Sequence, residues 1–312
     1  MPRQAMNENY EIQKLFEGVV PERLDEVLDL IKAHSAQFRR IGDKPGFNLD
    51  AGAFGAIQFT QRSLEQLWLF GFSGIFALHC YSGIAVLAKC YGLNFNLDEI
   101  DSLPDQKEAD DQFSKLIDTV EHLKNAESEY GFTWPHGIPK PEDGKPRNIE
   151  QAAIFDLVLM ATAYVFLHEL KHVIFEAEGN APEDPTEEEM QCDAFASDMM
   201  LGQIKKYSES SGYPENKVRM KRSIGIALGS TFLAVATPTV NLSGTKSHPP
   251  VHKRWSATLG SIQLEENDFY WLYFASLAIA LLKHKQIDFP SQTLISFRQL
   301  AMSAIEALEN GI

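Results

Sequence analysis

Residues 148–180 read NIEQAAIFDLVLMATAYVFLHELKHVIFEAEGN, and how this stretch folds decides how the rest is arranged. Asn148 followed three residues later by Gln151 has the form of a capping box, and Gly179 with Asn180 supplies residues that end helices. The stretch between them predicts one long helix, apolar nearly all round. Such a helix is usually central and buried. Inside it lies His168-Glu169-Leu170-Lys171-His172, whose four-residue step puts both imidazoles on one face, a turn apart, with Glu169 beside them. Two histidines and a carboxylate within an apolar helix are costly unless something compensates them, and a metal ion would.

A catalytic zinc takes nitrogen or oxygen donors at roughly 2.0–2.2 Å and keeps one position for water. Two histidines are therefore an incomplete set. Downstream, Asp184 is a candidate N-cap with Pro185 at the first helical position and Glu187 at the third, predicting a second helix through about residue 201. The acidic candidates for a third ligand are Glu176, Glu178, Glu187, Glu188, Glu189 and Asp193. Glu189 stands four residues before Asp193, and Ala196 and Met200 continue that stripe, so Glu189 and Asp193 point inward together. Glu189 is then the expected third ligand and Asp193 the carboxylate that orients a ligand imidazole. An acidic first turn stabilising the helix dipole is the competing reading of Glu187, Glu188 and Glu189.

HELKH followed by EMQCDAFA resembles the HExxH…ExxxD signature of the gluzincin metallopeptidases. The metzincin pattern does not fit, since Phe175 and Glu178 stand where its glycine and third histidine would be. SHPPVHKRW resembles an element that follows the metal site in HtpX-type and CAAX-prenyl proteases, which implies that His248 and Arg254 approach the active site. The string CDAFASDMML is similar to the third-ligand helix of the ImmA and IrrE type, with Cys192 and Asp193 replacing the usual Ala-Asn. Over residues 150–255 the chain looks most like the Lit-type phage-exclusion peptidases. That resemblance implies a zincin-like core, Zn2+ held by His168, His172 and Glu189, Glu169 as general base, and a bacterial cytoplasmic enzyme acting on elongation factor Tu. It also implies restraint by latency or by an activating peptide or partner.

Working outward, residues 131–148 hold four prolines and three glycines and read as an irregular connection between 1–130 and 149–312. In the first half, Leu24, Val27, Leu28 and Ile31 predict an amphipathic helix over 20–35. AFGAIQF predicts a short strand near 56–60, where Ala56 to Phe59 could hold an extended peptide by edge pairing, followed by a helix capped at Thr60 or Ser63. The expected class is therefore α+β, mostly helical, with a small β-sheet.

At 312 residues and 44% hydrophobic composition the chain can bury a large core. A formal charge of −15 with no basic run argues against a nucleic-acid partner. Cys80, Cys90 and Cys192 form neither a disulfide framework nor a CxxC pair, which suits a reducing cytosol. The N-terminus has no signal-peptide pattern. Residues 67–88 carry no Asp, Glu, Lys or Arg and reach spanning length, so inner-membrane association of the HtpX kind stands beside the buried-helix reading. The stretches 224–240 and 268–282 are also apolar, the first diluted by Ser, Thr and Pro and the second too short to span. A regulatory binding protein with a structural or vestigial metal site is the rival from another class.

Overall fold

The computed structural model describes residues 2–127 and 132–312, with side chains from residue 8 onward. Gly131, the first residue of the expected connection, lies outside the described residues. The long helix forms as its caps require: α6 runs Ile149–Glu178, the Asn148 side chain accepts from the Gln151 N–H, and Gly179 adopts left-handed backbone (φ 64°). Next comes α7, Pro185–Leu201, with the Asp184 carboxylate accepting from the Thr186 N–H.

Around α6 the described chain is mostly helical. Before it come α1 (Pro2–Val19), α2 (Leu24–Ala33), α3 (Gln61–Tyr91), α4 (Leu97–Asp101) and α5 (Gln106–Asn125). After α7 come α8 (Ile204–Ser211), α9 (Glu215–Ala236), α10 (Val251–Gly260), α11 (Phe269–His284) and α12 (Phe297–Gly311). The small sheet has three strands: β1 (Gln37–Arg40) runs parallel to β3 (Ala56–Phe59), and β2 (Leu49–Ala51) runs antiparallel on its other side. A further pair joins β4 (Asn94–Phe95) to β5 (Gln292–Thr293).

The expected strand near 56–60 is present, but as the centre of its sheet. With β1 and β2 on its two sides, Ala56 to Phe59 offers no edge. Position β2 is the edge on the α6 side, which corrects the edge-pairing expectation.

Two hydrophobic cores flank α6. One joins α3, α5, α9, α10, α11 and α12 to residues such as Ile154, Val158 and Ala161. The other seats the sheet, where Phe166 meets Phe38 and Phe59 edge-on at 5.4 and 5.3 Å, with Leu167, Leu170 and Val173 beneath. Residues on both sides of 131–148 thus share cores. Helices α3 and α6 are long and apolar enough to cross a membrane, and about half of each apolar window is buried inside the protein.

Helix α9 approaches α6 closely because glycines face the crossing. A Cβ on Gly225 would come within 2.4 Å of Met160 Cβ, and one on Gly229 within 2.9 Å of Tyr164. Gly225→Ala should therefore cost about 1–3 kcal/mol through overpacking. Urea unfolding would register it, and an unchanged midpoint would mean that α9 slides without penalty.

The N-terminal segment is pinned by two arginines. Arg222 of α9 forms an ion pair with Glu22, Nη2 to Oε2 at 2.9 Å, with both side chains almost fully buried. Arg23 donates to the Asp198 backbone and carboxylate oxygens at 2.7 and 2.9 Å.

Candidate active site

The helical step of four brings His168 and His172 together edge-on, Nε2 to Nε2 at 3.2 Å. Helix α7 crosses α6 so that the Glu189 carboxylate meets both rings, 3.4 Å from His168 Nε2 and 3.5 Å from His172 Nε2. The three expected ligands are therefore brought together. Behind them, Asp193 Oδ1 lies 3.0 Å from His168 Nδ1, as expected of an orienting carboxylate. Glu188, which the sequence offered only as a candidate ligand, does the same for His172 Nδ1 at 2.7 Å.

This arrangement tests the fit of a cation. Carboxylates on both Nδ1 atoms fix those nitrogens as donors, so in the neutral rings the Nε2 lone pairs face each other and the Glu189 oxygens, a crowding relieved either by protons on Nε2 that donate to Glu189 or by a cation in their place. Acceptors so crowded require positive charge between them. The electrostatics agree: burial disfavours charge on His168, but hydrogen bonds to Asp193 and Glu189 reverse this and raise its pKa to about 10. Burial opposes and a hydrogen bond to Glu189 outweighs in the same way at His172, whose pKa is also raised. On Glu189, burial is overcome by hydrogen bonds from both histidines, which hold the carboxyl well below its ordinary range. The donor set fits a divalent cation taking N and O ligands.

Arg254, expected to approach the active site, lies against two of its carboxylates. Its Nε and Nη2 donate to Asp193 at 2.7 Å each, and its Nη1 lies 3.0 Å from Glu189 Oε2. Tyr164, one turn before His168 on the same face, donates its hydroxyl to Asp193 at 3.0 Å. That four-residue step was a signal the sequence carried. His248 comes from the loop before α10, its Nε2 3.5 Å from Glu189 Oε1, its side chain still 59% exposed.

Glu169 stands at the cleft wall, where its Oε2 accepts the Ala51 N–H of β2 at 2.7 Å. Burial raises its pKa against the pull of His168 and His172, making the carboxylate a better proton acceptor. The cleft has a volume of about 650 Å³ and is bounded by Leu49, Asp50 and Ala51 on one side and Phe232, Leu233 and Ala236 on another.

Cys192, read in the sequence as unrelated to a metal pair, lies one turn beyond Glu189 on α7. Its Sγ and a nitrogen of each of His168 and His172 fall within 4.8 Å of one another. Burial, reinforced by the Glu189, Glu188 and Asp193 charges, pushes its thiol well up and keeps the proton on sulfur. Glu189 meets the same two rings as a carboxylate held below its ordinary pKa range, 3.4 and 3.5 Å from their Nε2 atoms.

Convergent imidazole and carboxylate side chains, with Glu169 alongside at the edge of a strand, form an arrangement suited to metal-assisted hydrolysis. Residues 57–274 match the model of the Peptidase U49 family, and the chain belongs to that family. It is 27% identical over 225 residues to a cell death peptidase of Escherichia coli strain K12, an alignment covering 68% of this chain and 66% of that relative. No solved structure matches it.

Proposed function

We propose that this chain is a zinc-dependent endopeptidase with a zincin-like core, its metal held by His168, His172 and Glu189. The facing Nε2 atoms, each with its Nδ1 on a carboxylate, carry this reading. Bound there, zinc would polarise the scissile carbonyl and acidify a water. Glu169 takes the proton of the attacking water and returns it to the leaving amine. An extended substrate pairs with β2, the sheet edge on the cleft side. His248, exposed and within reach, stabilises the developing oxyanion, while Arg254 and Asp193 position Glu189 and His168. The resemblance to Lit-type enzymes extends the proposal to elongation factor Tu as substrate in phage exclusion, to a cytoplasmic location, and to an activating peptide or partner.

The test is elemental analysis of the purified chain and of His168→Ala, His172→Ala and Glu189→Ala. Near-stoichiometric zinc in the parent, lost or sharply weakened in all three, is expected. A folded parent without metal even after zinc is supplied would sink the proposal.

The nearness of Cys192 favours a second reading, a closed four-ligand site in a regulatory binding protein. Cys192→Ala separates the two. Zinc retained at parental stoichiometry leaves the open catalytic site; zinc lost with Cys192 marks a structural site.

A further inference from the structure

Strand β2 presents two different edges. The Gly52 N–H donates to Ala56 O at 2.6 Å and the Thr60 N–H donates to Asn48 O at 3.1 Å, so residues 48, 50 and 52 turn their main-chain groups toward β3. Leu49 and Ala51, paired across from Phe59 and Ile57, turn theirs the other way, into the cleft. The Ala51 N–H is already engaged there, by Glu169 Oε2 at 2.7 Å. A peptide pairing with this edge needs the same N–H, because successive outward groups on an edge strand are what it bonds to.

We infer that the Ala51 N–H is shared in turn by the general base and the substrate: it holds Glu169 when no peptide is paired with β2. It passes to a substrate carbonyl oxygen when one is, releasing the carboxylate toward the site. This rests on the peptidase reading above and adds a coupling to it. One N–H cannot serve two acceptors at full strength, so substrate seating and base release favour each other, and the carboxylate competes with every incoming strand. Ala51 acts here as a positioning residue through its backbone.

The experiment measures binding and exchange on zinc-loaded full-length protein. The probe is the end-blocked hexapeptide acetyl-Thr-Val-Ser-Leu-Thr-Val-amide, with Glu169→Ala and Glu169→Gln compared with the parent. Catalytically dead variants give clean equilibria, and for the parent Kd is read before turnover. In Glu169→Ala the Ala51 amide should exchange with solvent much faster than in the parent, and saturating peptide should restore its protection. The peptide should bind Glu169→Ala roughly tenfold more tightly than the parent, about 1.4 kcal/mol, with Glu169→Gln between them because its amide oxygen still accepts. Equal affinities in parent and Glu169→Ala, or an Ala51 amide that the peptide never protects, would overturn the inference. A parent that cleaves protein while showing either of those results would leave the peptidase reading standing and remove only this coupling.

Discussion

Glu169→Gln should bind zinc at the parental stoichiometry and yet cleave protein about 10²- to 10⁴-fold more slowly. The ligand atoms do not involve Glu169, whose carboxylate contacts the Ala51 N–H, so the site should assemble unchanged. Glutamine keeps the shape and the acceptor oxygen but cannot carry the proton between water and leaving amine. Steady-state cleavage beside metal analysis checks both halves. An intact rate would remove Glu169 from the mechanism, whereas loss of zinc along with activity would mean that its charge is needed to build the site.

Arg254→Ala should produce the largest loss of stability among the site variants, about 3–5 kcal/mol, because it strands carboxylates that its guanidinium now satisfies. Asp193 is almost fully buried, and its carboxyl is held low, against burial, by the Arg254 charge and the His168 hydrogen bond. Zinc affinity should weaken 10- to 100-fold as His168 loses its oriented partner. Denaturant unfolding with and without metal would measure both. The Arg254→Ala/Asp193→Ala double variant should cost less than the sum of its singles, since each removes a group whose burial the other had justified. Strict additivity would show that the pair does not act as a unit.

How much was readable in advance followed from how local each determinant is. The limits of α6 and α7 are written in their caps, Asn148 with Gly179 and Asp184 with Pro185, which act within a turn of themselves. The histidine pair, Glu189 and Asp193 were legible for the same reason, since a step of four on a helix fixes a shared face. Strands β1 and β2 were not, because QFRR and LDA are too short and too polar to show a period, and become strands only by pairing with β3. The role of Ala51 left no trace in the sequence at all, because a backbone amide is common to nearly every residue. Cys192 is a different case. Its step of three from Glu189 already placed it near the ligand face, and attention to cysteine pairs hid a cysteine beside histidines.

The buried pair of Glu22 with Arg222 joins residues 200 positions apart in the chain. During synthesis the first strands and the second helix leave the ribosome long before α9, and closing so large a loop comes late because its entropy cost precedes any reward. The sheet seats on α6 independently of that pair, where Phe166 meets Phe38 and Phe59, so the cleft wall can form before α9 locks down the segment that carries Glu22.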